Sequence, residues 1–347
     1  MPHDNKLQTI IKRIWNDDIP GYSANENNQF EILGVDNRRL STVYQVNLVS
    51  TLVESKKIYV KISKFANGDQ DIAGKKLKHE FDQHLDAYTK IQPSSKFSIV
   101  QPLCVYPDIP AIVTESFPNS KPLRVPIIEY LLLGGKKRKA SIEQLLFSTG
   151  EMLREFHSPH NQDIENLNQV QSELGEYINL RLKLIDIFLL GRSNEPQRTT
   201  ESLFDDFKKR TVLEDCPGFN MMTRVHGDFT PGNILHDGKR LALIDFSEAV
   251  TAPQALDVGG FVNYLNMLPL NKPVFSRKRA KYLVSVFMDG YGQQTETELA
   301  LCKLFQFRFL TTNLLTQTKE MQKSTVKNIL MHKRITRYLK EMETVLA

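Results

Sequence analysis

Within residues 226–246 the chain places Asp228, then Asn233 five residues later, then Asp245 seventeen residues after the first. The local sequences are His226-Gly227-Asp228-Phe229-Thr230-Pro231-Gly232-Asn233 and Leu243-Ile244-Asp245-Phe246. Phosphoryl transfer to an alcohol asks for one carboxylate to orient and deprotonate the hydroxyl. It also asks for two oxygen donors to hold Mg²⁺ on the nucleotide phosphates. The apolar residues 241–244 read as a buried strand ending at Asp245. Asp237-Gly238 is the turn before it, and Asn233-Ile234-Leu235 is the incoming strand. Such a hairpin carries Asn233 and Asp245 to one edge, where a single metal could bridge them. The plainer reading is a solvated turn followed by an ordinary hairpin.

The elements that must position these residues are legible upstream. Residues 5–15 put Leu7, Ile10, Ile11, Ile14 and Trp15 on one helical face. Residues 25–28 are polar and turn-like. Alternation and β-branched content make 30–34, 42–49 and 57–62 an antiparallel meander. Residues 68–74 read as a loop, and 75–91 as a helix with Leu77, Phe81, Leu85 and Tyr88 on one face. Strands at 99–106 and 111–117 flank Pro107-Asp108-Ile109-Pro110. After Pro118 the pattern is mainly helical. In the third strand Tyr59, Lys61 and Ser63 share a face, so Lys61 need not be on the apolar side.

Together, HGDFTPGNIL and LIDFSEA resemble the signature of the aminoglycoside phosphotransferase and choline kinase superfamily, which has the protein-kinase fold. The resemblance rests on four features in order: the HGD loop, the asparagine, the I-D-F strand, and Asp257 within Ala255-Leu256-Asp257-Val258-Gly259. It implies an α+β fold with two lobes, an antiparallel sheet in residues 1–118 and a mainly helical region in 119–347. Asp228 would then be the base, Asn233 and Asp245 the metal ligands, and Asp257 the buttress of the loop. Lys61 would contact the α and β phosphates, with Glu80 as its ion-pair partner and Asp82 and Glu115 as competitors for that role. The hinge falls at Glu115-Ser116-Phe117-Pro118, whose backbone would read the adenine edge.

The turn at 35–42 stands where a Gly-rich loop is expected but has no glycine after Gly34. Ser41 and Thr42 could bond a phosphate there, with Arg38 or Arg39 adding charge; a polar hairpin explains the segment equally well. Residues 148–157 resemble the family helix that ends in histidine, which makes His157 a packed or capping group. His226 reads as a scaffold residue beside the base. The long segment 158–220 is of the kind that walls the acceptor site in small-molecule kinases. Its helix at 174–190 carries Tyr177, Arg181, Asp186 and Phe188.

Only twelve residues separate Asp245 from Asp257, and Ala252-Pro253-Gln254 is a poor echo of an Ala-Pro-Glu anchor. No room remains for the activation segment of a protein kinase, so a small hydroxyl acceptor is favoured. From residue 271 onward fourteen Lys and Arg face six Asp and Glu, about +8 against +5 for the whole chain. A solvated helical surface accounts for this as well as a functional patch does. It argues against a polycationic acceptor, and no aromatic-interleaved basic motif points to nucleic acid.

With 347 residues the chain can bury a large core, normally as two domains or lobes. Its three scattered cysteines suit a reducing compartment. The start, Met1-Pro2-His3-Asp4-Asn5-Lys6, lacks a signal-peptide pattern, and no apolar run approaches the roughly 18 residues of a membrane span. The expectation is therefore a cytoplasmic, Mg²⁺-dependent phosphotransferase acting on a small-molecule hydroxyl, preferably of a sugar or related metabolite. ATP is the expected donor, and GTP is compatible with the same residues. Choline, ethanolamine or aminoglycoside kinases are alternatives within the fold. A non-catalytic nucleotide-binding protein on the same scaffold is the alternative of another class. The oligomeric state is not encoded in any motif.

Overall fold

The computed structural model describes residues 2–17, 28–49, 55–64, 70–91, 96–158, 162–163, 167–189, 221–294, 296–321 and 328–346, with Ile19, Tyr22 and Asp205 as isolated positions. It is α+β, and it divides into two compact units. The first comprises Met1–Leu123 and Gly232–Ala249; the second comprises Arg124–Pro231 and Val250–Ala347.

The first unit is built on a five-stranded antiparallel sheet of order β1-β2-β3-β6-β5. Its strands are β1 (Gln29–Asn37), β2 (Ser41–Val49), β3 (Lys56–Ser63), β5 (Pro102–Tyr106) and β6 (Ala111–Glu115). Helix α1 (Pro2–Asn16) buries Leu7, Ile10, Ile11 and Ile14 against Val46, Ile58, Val60 and Ile62 of one sheet face. Strict alternation along β3 then forces Tyr59, Lys61 and Ser63 to the opposite face. Helix α2 (Gln70–Lys90) packs on that half of the sheet through β5 and β6.

Helix α2 departs from its pattern in two respects. It starts at Gln70, so 70–74 is helical rather than loop, while 65–69 lies outside the described residues. Its buried face is Gly74, Leu77, Glu80, His84 and Ala87. Phe81 and Tyr88 are half-buried and Leu85 is exposed. The two polar side chains go inside because each meets a buried partner, and that outweighs the apolar stripe. The predicted strand at 99–106 is also split. Pro102 has no N–H to donate and opens β5, while β4 (Phe97–Ile99) pairs in parallel with β11 (Leu241–Leu243) of another sheet. That second sheet, β4-β11-β10-β7, adds β10 (Ile234–His236) and β7 (Lys121–Pro122). The β10–β11 turn is held by Asp237, whose Oδ1 accepts from the Lys239 and Arg240 amides at 2.9 and 2.8 Å. Gly238 supplies a φ of 98°. The polar stretch 25–27 lies outside the described residues.

The second unit is mainly helical. It contains α3 (Arg124–Leu133), α4 (Lys136–His157), α5 (Leu167–Leu189), α6 (Ala255–Asn271), α7 (Arg277–Tyr291), α8 (Glu296–Met321) and α9 (Asn328–Leu346). A small sheet of β8 (Gln162–Asp163), β9 (Met221–Val225) and β12 (Val250–Pro253) completes it. The basic C-terminal residues are partly structural. Arg279 caps α3 by donating to the carbonyls of Tyr130 and Leu131 at 3.3 and 3.1 Å. Of the cysteines, Cys216 lies outside the described residues. Burial pushes the thiols of Cys104 and Cys302 up, to about 11 and about 12, which makes both unreactive. No helix among the described residues is long and apolar enough to cross a membrane.

Helices α4 and α7 approach through Gly150 and Gly290, where a Cβ would run into the backbone of the facing helix. Gly290→Ala should therefore destabilise the protein by about 1–3 kcal/mol, the scale of overpacking. Gly175→Ala on α5 meets nothing within 4 Å and should be neutral or stabilising by about 0.5–1 kcal/mol. Urea unfolding of both variants tests the contrast.

Candidate active site

Two sets of chemically capable residues are assembled, one within each unit. In the first, Lys61 extends from β3 to Glu80 on α2. Its Nζ donates to Oε1 and Oε2 at 2.8 and 3.0 Å and to Asp245 Oδ1 at 3.1 Å. The ordinary competitors are engaged elsewhere. Asp82 pairs with Lys78 at 2.6 Å, and Glu115 accepts from the Tyr22 hydroxyl at 3.2 Å. Burial opposes the charge on Lys61, but Asp245 and Glu80 outweigh it and hold the ammonium above the usual lysine range. Burial pushes Glu80 up; Lys61 pulls it back and Asp245 adds to the rise.

Asp245 follows β11 in a left-handed conformation, φ 66°. The Ile244 amide donates to the Asn233 carbonyl at 3.1 Å, so Asn233 and Asp245 end neighbouring strands of the hairpin. Both offer hard oxygens of the kind Mg²⁺ takes when phosphates supply further ligands. No group of three His, Cys, Asp or Glu able to hold a metal is found among the described residues. One protein carboxylate and an amide beside bound phosphates is a donor set that needs no such group.

Around this cluster lies a cavity of about 210 Å³, lined by Arg38, Val43, Tyr59, Ile112, Thr114, Glu115, Phe117, Leu235 and Ile244 with the charged residues. Glu115 and Phe117 are thus brought to it. The Phe117 amide has no partner among the described residues, whereas the Glu115 and Ser116 amides donate to Gln101 and Lys57. Ser41 and Thr42 are not in the lining. Both are buried, and the Thr42 hydroxyl donates to Asn37 Oδ1 at 3.0 Å across the hairpin. The residue of that turn that reaches the cavity is Arg38.

The second set surrounds Asp228. Asp257, at the start of α6, is 1 % exposed. Its Oδ2 and Oδ1 accept from the His226 and Gly227 amides at 2.7 and 2.9 Å. Gly227 has φ 79°, which a side chain would disfavour. The Asp228 amide donates to His226 Nδ1 at 3.3 Å, and His226 packs edge-on against Phe229. His157 reaches Asp257 Oδ2 through Nε2 at 3.2 Å, and its Nδ1 meets the Tyr291 hydroxyl at 2.9 Å. Tyr291 in turn donates to Gln254 Oε1. His157 and His226 are therefore scaffold.

Asp228 opens on a cavity of about 290 Å³ lined by Phe229, Thr230, Asn263, Tyr264, Met267, Asn271, Phe309 and Asn313, among others. Asp228 is its one carboxylate among the described residues. The asparagines carry no recognisable motif, and only their helical spacing on α6 (Asn263, Met267, Asn271) hints at a shared face. Tyr338 of α9 donates to Asn271 Oδ1 at 2.8 Å and fixes one of them. Of the helix at 174–190, Tyr177 and Arg181 are partly buried on α5; the side chains of Asp186 and Phe188, and most of 158–220, lie outside the described residues.

Lys61→Met would leave two carboxylates facing each other, and should cost about 3–5 kcal/mol, the scale of a broken buried pair. Adding Glu80→Gln should return part of that loss, with a coupling above roughly 1 kcal/mol in a double-mutant cycle. Independent, additive losses would contradict the pairing. Asp257→Asn turns an amide donor toward one of the two backbone N–H groups and should cost about 1–3 kcal/mol. Equilibrium denaturation measures it, and an unchanged midpoint would remove Asp257 from loop support.

No curated protein matches the chain. The model of the phosphotransferase enzyme family matches residues 124–293, which run from α3 past the Asp228 loop and the Asp245 strand to the end of α7. Among solved structures, a choline kinase from Cryptosporidium parvum is similar at TM-score 0.55 and 15 % identity, covering 98 % of this chain and 96 % of that one. A choline/ethanolamine kinase family protein from Mesorhizobium loti gives 0.53 and 13 %, covering 98 % and 95 %. An aminoglycoside phosphotransferase held with ADP and hygromycin B gives 0.54 and 10 %, covering 91 % and 94 %. At such identities the structural likeness is one of fold. The matched segment, just under half of the chain, and the kinase-like fold support a phosphotransferase acting on hydroxyl groups.

Proposed function

We propose that the protein transfers a phosphoryl group from Mg²⁺-bound ATP to a hydroxyl of a small neutral or anionic metabolite, with a sugar or sugar-derived compound as the preferred class. The observation that carries this reading is the cavity at Asp228. Its other polar side chains include three asparagines, a threonine and a tyrosine, a set that hydrogen-bonds hydroxyl groups without adding charge. A polycation would find one carboxylate there, and the excess of basic residues from 271 onward opposes it further.

In this reading Asp228 accepts a hydrogen bond from the acceptor hydroxyl, orients its lone pair toward phosphorus and takes the proton as the bond forms. Lys61 binds the α and β phosphates and is itself kept charged and oriented by Glu80. Asn233 and Asp245 would hold Mg²⁺, which when bound neutralises charge on the phosphate oxygens. The free Phe117 amide suits an acceptor nitrogen of the base, and Arg38 can meet the outer phosphates. Thr42 and Ser41 then serve the turn that carries Arg38. The scattered cysteines, with Cys104 and Cys302 unpaired, fit a cytoplasmic setting.

A choline-type acceptor is the second reading, because Tyr264 and Phe309 line the same cavity and aromatic faces attract a quaternary ammonium. Purified protein offered Mg-ATP with sugars, sugar acids, choline and kanamycin-like aminoglycosides separates the two. Turnover of the sugar class is expected, and efficient use of choline or aminoglycosides alone would overturn the preferred reading. With the accepted compound in hand, Asp228→Asn should lower kcat by roughly 10²–10⁴ while nucleotide affinity holds. Unchanged turnover would take Asp228 out of the mechanism.

A further inference from the structure

Beside the acceptor cavity, two arginines on facing helices meet no carboxylate among the described residues. Arg181 of α5 and Arg308 of α8 both place their guanidinium carbons over the ring of Tyr177, at 3.0 and 4.4 Å from its centroid. Arg181 spends one donor on its own helix, NH1 to the Tyr177 carbonyl at 3.1 Å. Its Nε is buried without a hydrogen-bond partner. Neither guanidinium is paired with a carboxylate among the described residues. Burial, reinforced by the neighbouring Arg181 charge and eased by Tyr177, holds Arg308 below the usual arginine range.

The cluster is rigidly framed. Thr312 spends its hydroxyl hydrogen on the Arg308 carbonyl at 3.1 Å, so the Tyr177 hydroxyl must be the donor in its 3.0 Å contact with Thr312. The adjoining α8 residues Phe309 and Asn313 line the acceptor cavity. Two like charges that cannot be neutralised by deprotonation, partly desolvated and with the Arg181 Nε unpartnered, are matched by a bidentate oxyanion.

We propose that Arg181 and Arg308 form an oxyanion site, for a phosphate or carboxylate group, next to the acceptor cavity. The anion can arrive as a substituent of the acceptor or as a free ion. Only the first of these rests on the phosphotransfer reading. A purely structural role in stacking on Tyr177 is the competing account, and it differs in sign: removing an unpaired charge from a partly buried place should not weaken the apo protein.

The test begins with inorganic phosphate titrated against the full chain by thermal shift and calorimetry. A saturable stabilisation is expected in the wild type, with the dissociation constant raised at least about 10-fold in Arg308→Met and in Arg181→Met, the loss of one charge-assisted bidentate pair. Arg308→Lys keeps the charge without the fork and should fall between. The apo melting temperature of Arg308→Met should equal or exceed that of the wild type. The second arm compares glucose with gluconate and glucose 6-phosphate under Mg-ATP. Preference for the anionic compounds that collapses in Arg308→Met identifies a substituent site, while phosphate binding with no such preference identifies a free-anion site. Absence of saturable phosphate binding, equal binding by the variants, or a lowered apo melting temperature in Arg308→Met would each overturn the proposal. Failure of every acceptor with phosphate binding intact would count against the phosphotransfer reading alone.

Discussion

The ammonium of Lys61 is the point on which the first unit turns. Three charges meet there, the lysine from β3 and carboxylates from α2 and from the end of β11, with side chains between 7 and 23 % exposed. Burying any one of them alone would cost several kcal/mol, and only their mutual hydrogen bonds make the burial tolerable. With all three groups ionised, the cluster carries one net negative charge. Under the proposed function a cation would be held beside Asp245, and phosphates that drew Lys61 toward them would leave Asp245 freer to accept it. The same arrangement that holds the unit together is the one that a metal-bound nucleotide would reorganise.

The second unit solves a comparable problem with backbone rather than side-chain donors. Asp257 buries a carboxylate by accepting two consecutive loop amides, and His157, Tyr291 and Gln254 extend the network outward. Consecutive N–H groups converge on one side chain only if the backbone turns sharply, which the positive φ of Gly227 provides. Asp228 inherits its position from that turn. Its position is thus fixed largely by Asp257, His157, Tyr291 and Gln254, none of which lines the cavity.

Much of this was legible in the sequence because it rests on short-range pattern. The β10–β11 hairpin follows from Asp237-Gly238 and flanking apolar residues, and the orientation of Lys61 follows from alternation with Ile58, Val60 and Ile62. What escaped depends on partners distant in the chain. On α2 the apolar residues Phe81, Leu85 and Tyr88 outline a plausible face, yet Glu80 and His84 are buried instead, because Lys61 and the Val100 carbonyl wait for them. The strand read across 99–106 missed the break at Pro102, a residue without an N–H, and the two halves join different sheets. Asn263, Asn271 and Asn313 come from two helices and share no motif. Arg181 and Tyr177 were visible as candidates, though nothing in the sequence announced that Arg308 would join them.

Glu80 and His84, one helical turn apart on α2, connect that helix to Asp245 by two separate routes. The first is ionic, through Lys61. The second is aromatic: His84 stacks on the fully buried ring of Phe246 with centroids 4.7 Å apart, while its Nε2 lies 2.7 Å from the Val100 carbonyl. The Val100 amide closes the circuit by donating to Leu243, two residues before Asp245. An aspartate in the left-handed region is held at a cost of about 1–2 kcal/mol, and it persists only where its neighbours leave no alternative. Here Leu243 is fixed on one side and Phe246 on the other, so the conformation of Asp245 is a consequence of where α2 sits. A shift of α2 large enough to break the Glu80 pair would also unstack His84 and release Phe246. Lys61, Glu80 and Asp245 are therefore assembled or dismantled together.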